Sequence, residues 1–299
     1  MKKSILIILI ISSCFSVVRA QQIVTLRMDG GNVTINDGAK EIPQIPIGKA
    51  NTEFFYDYRC VTDTTDRENR EKDITDVLVL QLGDNISKFF SYRKLQADSL
   101  MRSATGEEIM ANPSNFVARG AQSYTIYKNY PTGKLTFTDK ISRDNMKYEE
   151  MIPQMEWELL DESREIKGYI CYRAECDFRG RRWIAWYTPE IAIMDGPWKF
   201  GGLPGMIFEV SDSKDHYSFI LNGIRTALSD QITMSDLQYH NTTREKYQKT
   251  LRQFQEDPVG YLSANSGVKV SIRNQDGTPR DPSQEARNLN YNSIEIDIK

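Results

Sequence analysis

Apolar and polar residues alternate with a period of two along much of the chain. Short runs of this kind, rich in Val, Ile, Tyr, Phe and Trp, are typical of strands that bury one face. Eight such runs follow one another closely, and nearly every connection between them contains Gly, Pro, Asn or Asp. They cover residues 123–130, 134–140, 146–152, 157–161, 169–177, 182–187, 205–210 and 217–224. Because no helical pattern separates these strands, they predict an antiparallel meander.

One connection in this region is specific enough to predict a register. Arg179-Gly180 has the composition of a two-residue hairpin turn. If the chain turns there, Cys176 lies opposite Trp183 and Arg173 lies opposite Trp186. Upstream, residues 54–61 predict another strand, and residues 77–82 and 88–94 predict a hairpin.

Helical patterns are few. Residues 95–112 lack strand alternation and predict one or two short helices before Pro113. Residues 243–261 contain good helix formers, with an end or a bend expected at Asp257-Pro258. Short strands are also possible at 23–28, 268–272 and 294–298. The predicted class is therefore mainly β, a β-rich α+β fold with about 8–11 strands and one or two helices.

The first twenty residues predict an export signal. Lys2 and Lys3 precede an apolar stretch over residues 4–18, and Ala20 offers the small residue at a cleavage site. Cys14 leaves open the alternative of a lipid-anchored protein. We expect residues 21–299 to form a single domain without a transmembrane segment, located in the periplasm or secreted.

The charge argues against two classes of partner. The chain carries a net charge of −3, and removal of residues 1–20 takes away three basic residues and no acid, leaving −6. A mildly acidic chain without a polybasic cluster is not expected to bind nucleic acid or an anionic membrane surface.

Three cysteines remain in the mature chain. Cys60 has two possible disulfide partners, Cys171 and Cys176, which are an odd number of residues apart and should point to opposite faces of one strand. The alternative is that all three are small buried apolar residues.

Catalytic motifs are not recognisable. The two histidines, His216 and His240, do not have the spacing of a metal site, and neither a nucleophile motif nor a phosphate-binding loop is present. We therefore predict no catalytic residue, no metal site and no cofactor. Glu190 and Asp195 are the acids to consider if the protein is a carboxylate-dependent hydrolase.

The stretch between residues 186 and 210 has an unusual composition. Prolines and glycines that exclude regular pairing or allow positive φ predict a rigid structural corner. The residues concerned are Pro197, Gly202, Pro204 and Gly205. Four aromatic residues accompany them: Trp186, Tyr187, Trp198 and Phe200. They are either core residues or the mouth of an aromatic-lined ligand pocket.

These motifs resemble the GLPGLI family. The similarity lies in RGR at 179–181, AWYT at 185–188, GPWKF at 196–200, GLPGMI at 202–207 and NYNSIE at 290–295. Met206 and Ser293 depart from the family pattern. The resemblance implies an exported protein of Bacteroidetes without a settled activity. It also implies similarity to the bowl-like N-terminal domain of some bacterial peptide-N-glycosidases, which lacks their catalytic residues, and hence one curved antiparallel sheet or half-barrel.

The function that fits these observations is a non-enzymatic binding or accessory protein of the bacterial envelope. Its partner would be an unknown small molecule or an envelope protein. One alternative is a periplasmic carrier of a hydrophobic molecule such as a lipid, for which a deep apolar cavity is required. The second alternative is the hydrolase considered above, for which two carboxylates must converge in one cleft.

Overall fold

The computed structural model describes residues 24–27, 42–65, 73–116, 118–229, 231–266, 269–273, 279–280 and 291–298. Within these residues the chain forms seventeen β-strands and four α-helices. The first eight strands are β1 (Val24–Arg27), β2 (Gln44–Lys49), β3 (Thr52–Cys60), β4 (Ile74–Leu82), β5 (Ser87–Ser91), β6 (Thr125–Lys128), β7 (Lys134–Ile141) and β8 (Asp144–Met151). The others are β9 (Glu158–Ile166), β10 (Tyr169–Phe178), β11 (Arg181–Thr188), β12 (Met206–Asp212), β13 (Tyr217–Thr226), β14 (Gln231–Ser235), β15 (His240–Asn241), β16 (Lys269–Arg273) and β17 (Pro279–Arg280). The helices are α1 (Tyr92–Ser103), α2 (Gly106–Ala111), α3 (Arg244–Glu256) and α4 (Pro258–Ser266).

Twelve of the strands form one open sheet. Their order is β15-β8-β7-β6-β5-β4-β3-β13-β12-β11-β10-β9. Two meanders, β3 to β8 and β9 to β13, are joined where β13 pairs with β3, and every pairing is antiparallel except the short one between β15 and β8. The predicted β-rich antiparallel fold is confirmed. Its main sheet has twelve strands, and four helices rather than one or two occur in the described residues.

Local predictions are confirmed where a turn or a proline determines the structure. β10 and β11 pair with Cys176 opposite Trp183 and Arg173 opposite Trp186, as the two-residue turn requires. The long helix predicted near the C-terminus is interrupted at Asp257-Pro258, where α3 gives way to α4. The strand predicted at 294–298 does not form, because this segment is held mainly through side chains, as described below.

The sheet is strongly curved. β8 and β11 are eight strand spacings apart in the sheet order, which in a flat sheet would separate them by roughly 38 Å. Yet the consecutive residues Trp198 and Lys199 reach both strands. The Trp198 ring centroid lies 6.0 Å from that of Trp183 on β11, and the Lys199 ammonium lies 2.9 Å from the Tyr148 hydroxyl on β8. The sheet therefore curls around these residues and has an inner face.

Alternation along the strands determines which side chains occupy that inner face. On β3, Phe54, Tyr56, Tyr58 and Cys60 are all nearly inaccessible to solvent. Other strands of the sheet (β4, β7, β11 and β13) contribute residues at the same two-residue spacing: Leu78, Leu80, Leu82, Leu135, Phe137, Trp183, Ala185, Tyr217, Phe219 and Leu221. The core therefore lies on the inner side of the curve.

Three further predictions concern the cysteines, the signal peptide and membrane-spanning segments. Cys60, Cys171 and Cys176 are free thiols and all are buried, as in the alternative without a disulfide. The predicted signal peptide at 1–20, with Cys14, lies outside the described residues. Among the helices described, none combines the length and apolar character needed to cross a membrane.

Candidate functional site

The chain between β11 and β12, residues 189–205, folds across the inner face and is called the corner segment here. It is folded tightly on itself, since the Gly202 amide donates to the Met194 carbonyl at 3.2 Å. φ is +83° at Gly202 and +150° at Gly205, both in the range that favours glycine. A Cβ at Gly205 would lie 2.1 Å from the Thr188 carbonyl oxygen. The predicted corner residues therefore lie in a segment with little conformational freedom.

We call the concave space enclosed by the curved sheet the bowl. Aromatic side chains of the corner segment fill its centre. Trp198 and Phe200 are 1% and 0% exposed. The Phe200 ring lies 4.7 Å from Trp183 and 6.2 Å from Phe219, centroid to centroid, in edge-on contacts. The indole nitrogen of Trp157 donates to the Gly201 carbonyl at 2.9 Å. This end of the inner face is closely packed.

Two buried lysines attach the corner segment to the sheet. Lys128 on β6 donates to Asp195 at 2.6 Å and to the carbonyls of Gly196 and Phe200 at 2.7 and 2.6 Å. All three donors of this ammonium therefore have an acceptor. Burial lowers the pKa of Lys128, and the contact with Asp195 opposes that shift. The second oxygen of Asp195 accepts from the Ser87 hydroxyl at 2.6 Å.

Lys199 is the second lysine and its ammonium is fully buried. It donates to the Tyr148 hydroxyl at 2.9 Å, to Glu150 at 2.6 Å and to Glu295 at 2.6 Å. Burial pushes the pKa of Glu295 upward, but Lys199, together with Arg244 and Arg179, outweighs that effect and leaves it below its ordinary value. Lys199 therefore links the corner segment to β8 and to the end of the chain.

Residues 291–298, called the C-terminal segment, contact β11 of the sheet and helix α3. Arg181 on β11 donates to the Asn292 side chain at 2.7 Å and to the Ile294 carbonyl at 3.0 Å. Arg244 on α3 contacts Glu295 at 2.6 Å and Asp297 at 2.9 Å. Acidic side chains of the C-terminal segment therefore form ion pairs with basic side chains of the rest of the chain.

A cavity of about 150 Å³ lies between the inner face, α3 and the C-terminal segment, and we call it the tyrosine cavity. Seven aromatic rings line it: Tyr58, Tyr124, Phe137, Trp198, Tyr217, Tyr247 and Tyr291. Ser123, which also lines it, is exposed, so the cavity reaches the surface at the loop before β6. α3 contributes Tyr247, Gln248, Leu251 and Gln255.

Asp139 on β7 is the principal polar group of the cavity wall. It lies at an inner-face position and accepts a hydrogen bond from the Tyr247 hydroxyl at 2.5 Å and one from the Lys140 amide at 2.7 Å. Burial raises the pKa of Asp139, partly opposed by hydrogen bonds from Ser123 and Tyr247. A carboxyl group with a raised pKa in a cavity is a frequent mark of a functional site.

Tyr124 presents an unusual group to the same cavity. Its hydroxyl is buried and has no hydrogen-bond partner among the described residues. A buried hydroxyl without a partner costs about 1–3 kcal/mol, so such groups are rare in native structures, and a polar atom bound in the cavity would remove this cost.

The four aromatic residues predicted from sequence lie in different places. Trp198 lines the tyrosine cavity, whereas Phe200 is enclosed in the packed centre of the bowl. Tyr187 is buried near the end of β11. Trp186 alternates to the opposite face, where the Arg164 guanidinium lies 4.1 Å from its ring centroid. The structure does not bring the four together in one pocket.

The two acids considered for hydrolysis are engaged separately. Asp195 is bound to Lys128 in the interior. Glu190 is exposed and accepts a hydrogen bond from the Ile170 amide at 2.8 Å. Among the described residues, no group of three or more His, Cys, Asp or Glu side chains is placed to hold a metal ion.

Sequence reasoning missed Asp139, although its strand carried a signal. In KLTFTDKI, Leu135, Phe137, Asp139 and Ile141 share one face by the two-residue period, so a carboxyl group stands in an apolar row. The partners of Lys128 and Lys199 were not predictable in this way, because they come from segments far along the chain.

Comparison with known families agrees with the sequence resemblance. A family model described as proteins of unknown function (Porph_ging) matches residues 179–209, which confirms the resemblance to the GLPGLI family. No curated protein matches the chain significantly.

Two solved structures of the peptide-N-glycosidase PNGF-II, in space groups P21 and C2, are similar to this chain at 10% and 11% identity, each with a TM-score of 0.45. The similarity covers 67% of this chain and 32% of the PNGF-II chain, so the chain spans about a third of the length of that protein.

Proposed function

We propose that this protein is a non-enzymatic binding protein of the bacterial envelope and that the tyrosine cavity is its ligand site. The observation that carries the proposal is the buried Tyr124 hydroxyl, which has no partner among the described residues although it borders the cavity. Folded proteins satisfy such groups, and a ligand with a polar atom would do so here. Location in the envelope rests on the signal predicted at residues 1–20.

The size of the cavity limits the ligand. Drug-sized ligands occupy pockets of roughly 300–1,000 Å³, whereas a cavity of about 150 Å³ suits a molecule close to benzene in size. The tyrosine cavity, at about 150 Å³, therefore fits a small molecule or one group of a larger one. This size, and the filling of the bowl by Trp198 and Phe200, count against the alternative of a lipid carrier.

The hydrolase alternative has less support. Asp195 is bound to a lysine and a serine in the interior, and Glu190 is bound to a backbone amide on an exposed strand end. The two acids therefore have separate structural contacts. Asp139 has no second carboxylate among its hydrogen-bond partners in the described residues.

Native mass spectrometry of the protein purified from its own envelope tests the proposal. We expect an added mass that is retained in the native spectrum and lost on denaturation. Ala121→Trp, at the cavity wall, should abolish that mass, whereas Ser99→Trp on the exposed side of α1 should retain it. Both variants must first show a normal melting transition. A bare polypeptide mass for the unmodified protein, together with no binding in a small-molecule screen, would overturn the proposal.

A further inference from the structure

The charges around the tyrosine cavity restrict the chemical class of its ligand. Two carboxyl groups, Asp139 and Glu295, are part of its wall. No lysine, arginine or histidine is among the described residues that line it. An anionic ligand would therefore find no charge partner in the wall, and it would meet two acids. A cation would meet complementary charge.

Of the two acids, Asp139 is the one available to a ligand. Glu295 is already paired with Lys199 and Arg244. Asp139 forms no ion pair within the described part of the chain; the groups that face it are the Tyr247 and Ser123 hydroxyls, the Lys140 amide and, at longer range, Lys94 on α1. Its negative charge, when present, is therefore not neutralised by the protein.

The rings of the cavity add a second source of attraction. Aromatic faces carry negative charge density and bind cations within about 6 Å of the ring centroid. Phe137 and Trp198 already do so for the protein's own ammonium, because the Lys199 nitrogen lies 5.5 and 5.6 Å from their centroids. Phe137 is also stacked between Tyr124 and Tyr148, with 5.5 and 4.8 Å between centroids, so the rings left for a ligand cation are the tyrosines of the cavity wall.

We propose that the tyrosine cavity binds a small organic ammonium group, such as a quaternary or alkylated amine. This inference rests on the function proposed above and names its ligand class. The cavity wall contains seven aromatic rings, one carboxyl group without an ion pair and no basic side chain among the described residues. This lining suits a cation with apolar substituents. A hydroxyl or carbonyl on the same ligand would pair with the Tyr124 hydroxyl. A purely apolar ligand would leave the Tyr124 hydroxyl without a hydrogen-bond partner and the Asp139 carboxylate without a counter-charge.

Choline and its neutral isostere 3,3-dimethylbutan-1-ol provide a matched test. The two have nearly the same shape and share the hydroxyl, so calorimetric titration of each separates the effect of charge from that of size. We expect choline to bind at least tenfold more tightly near pH 8. Asp139→Asn should weaken choline binding several-fold and leave isostere binding unchanged, and the remaining preference for choline measures the contribution of the rings. Asp161→Asn, at an exposed position of β9 away from the cavity wall, serves as the control and should change neither.

The pH dependence gives an independent readout. A bound cation favours the ionised form of Asp139, whose pKa burial raises in the unliganded protein. Choline binding should therefore release a proton and weaken as the pH falls through the pKa of Asp139, while isostere binding stays constant. Asp139→Asn should remove this dependence.

The outcomes separate this inference from the function on which it rests. Equal affinity for choline and the isostere would overturn the cation specificity and leave a binding cavity. A neutral or anionic molecule found by native mass spectrometry would do the same. If neither probe binds and the purified protein carries no ligand, the cavity holds water alone and both proposals are wrong.

Discussion

Buried polar groups are paired to different extents in two regions of the inner face, around the corner segment and in the tyrosine cavity. Around the corner segment, the ammonium groups of Lys128 and Lys199 each have three acceptors, one for every hydrogen they carry. In the tyrosine cavity, Asp139 has no ion pair and the Tyr124 hydroxyl has no partner among the described residues. The Nε of Arg179, which belongs to the same ion network as Lys199, is also buried without a hydrogen-bond partner, so the contrast concerns the two ammonium groups. The contrast is what the proposal rests on, namely that the first region serves stability and the second serves binding.

The largest effect is expected at Lys199. Lys199→Met removes a fully buried ammonium from its contacts with Glu150 and Glu295, which should lower the free energy of unfolding by about 3–5 kcal/mol even though arginine side chains still contact both acids. Lys134→Met, at an exposed pair with Glu149, is the matched control and should cost less than about 1 kcal/mol. Urea denaturation measures both. Equal midpoints for the two variants would mean that the ion network does not stabilise the corner segment.

Gly205 gives the next largest effect. Gly205→Ala places a Cβ 2.1 Å from the Thr188 carbonyl oxygen, at a positive φ, and should destabilise the fold by about 3 kcal/mol. Gly202→Ala has positive φ but open space around the Cβ, so a cost of only about 1 kcal/mol is expected.

Gly223→Ala is the control for both glycine variants. It lies on β13 with nothing within 4 Å of the added Cβ, and it should change stability by less than about 1 kcal/mol. If Gly205→Ala and Gly223→Ala have the same melting temperature, the corner segment can shift to accommodate the added Cβ. The corner segment is then not the rigid element described above.

A smaller effect is expected from acid. The pKa of Glu295 is lowered in the folded protein, so its contribution to stability is present above the ordinary glutamate pKa of about 4.5 and is lost as the pH falls through the folded value. The groups that face it are Lys199, Arg244 and Arg179. Stability measured from pH 7 to pH 3 should fall more steeply for the unmodified protein than for Glu295→Gln. Parallel curves would show that Glu295 does not hold the C-terminal segment by charge.

The sequence predicted the structure where neighbouring residues determine it. The β10–β11 register follows from Arg179-Gly180, and the break between α3 and α4 follows from Pro258. The apolar alternation at 294–298 was misleading. In the structure the Ile296 amide donates to the Arg179 carbonyl, while acidic side chains bind the segment to α3 and the corner segment instead of a strand partner.

The candidate site depends on contacts between distant parts of the chain. Lys128 and Asp195 are 67 residues apart, and Lys199 and Glu295 are 96 apart. Local patterns carry no information about which of the 41 acids meets a given lysine. The pairing of β13 with β3, which brings the two meanders together, is likewise a long-range event. For this reason composition identified Trp198 as a candidate but could not separate it from Trp186 on the other face.

The smallest expected effect tests the comparison most directly. Tyr124→Phe removes a hydroxyl that has no partner among the described residues, so no hydrogen bond is lost and the free energy of unfolding should stay within about 1 kcal/mol or rise. Tyr247→Phe removes a hydroxyl that donates to Asp139 at 2.5 Å and should cost about 1–3 kcal/mol. Thermal unfolding of the ligand-free protein compares the two. If Tyr124→Phe costs as much as Tyr247→Phe, the Tyr124 hydroxyl is already satisfied by bound water, and the cavity is no less complete than the corner segment.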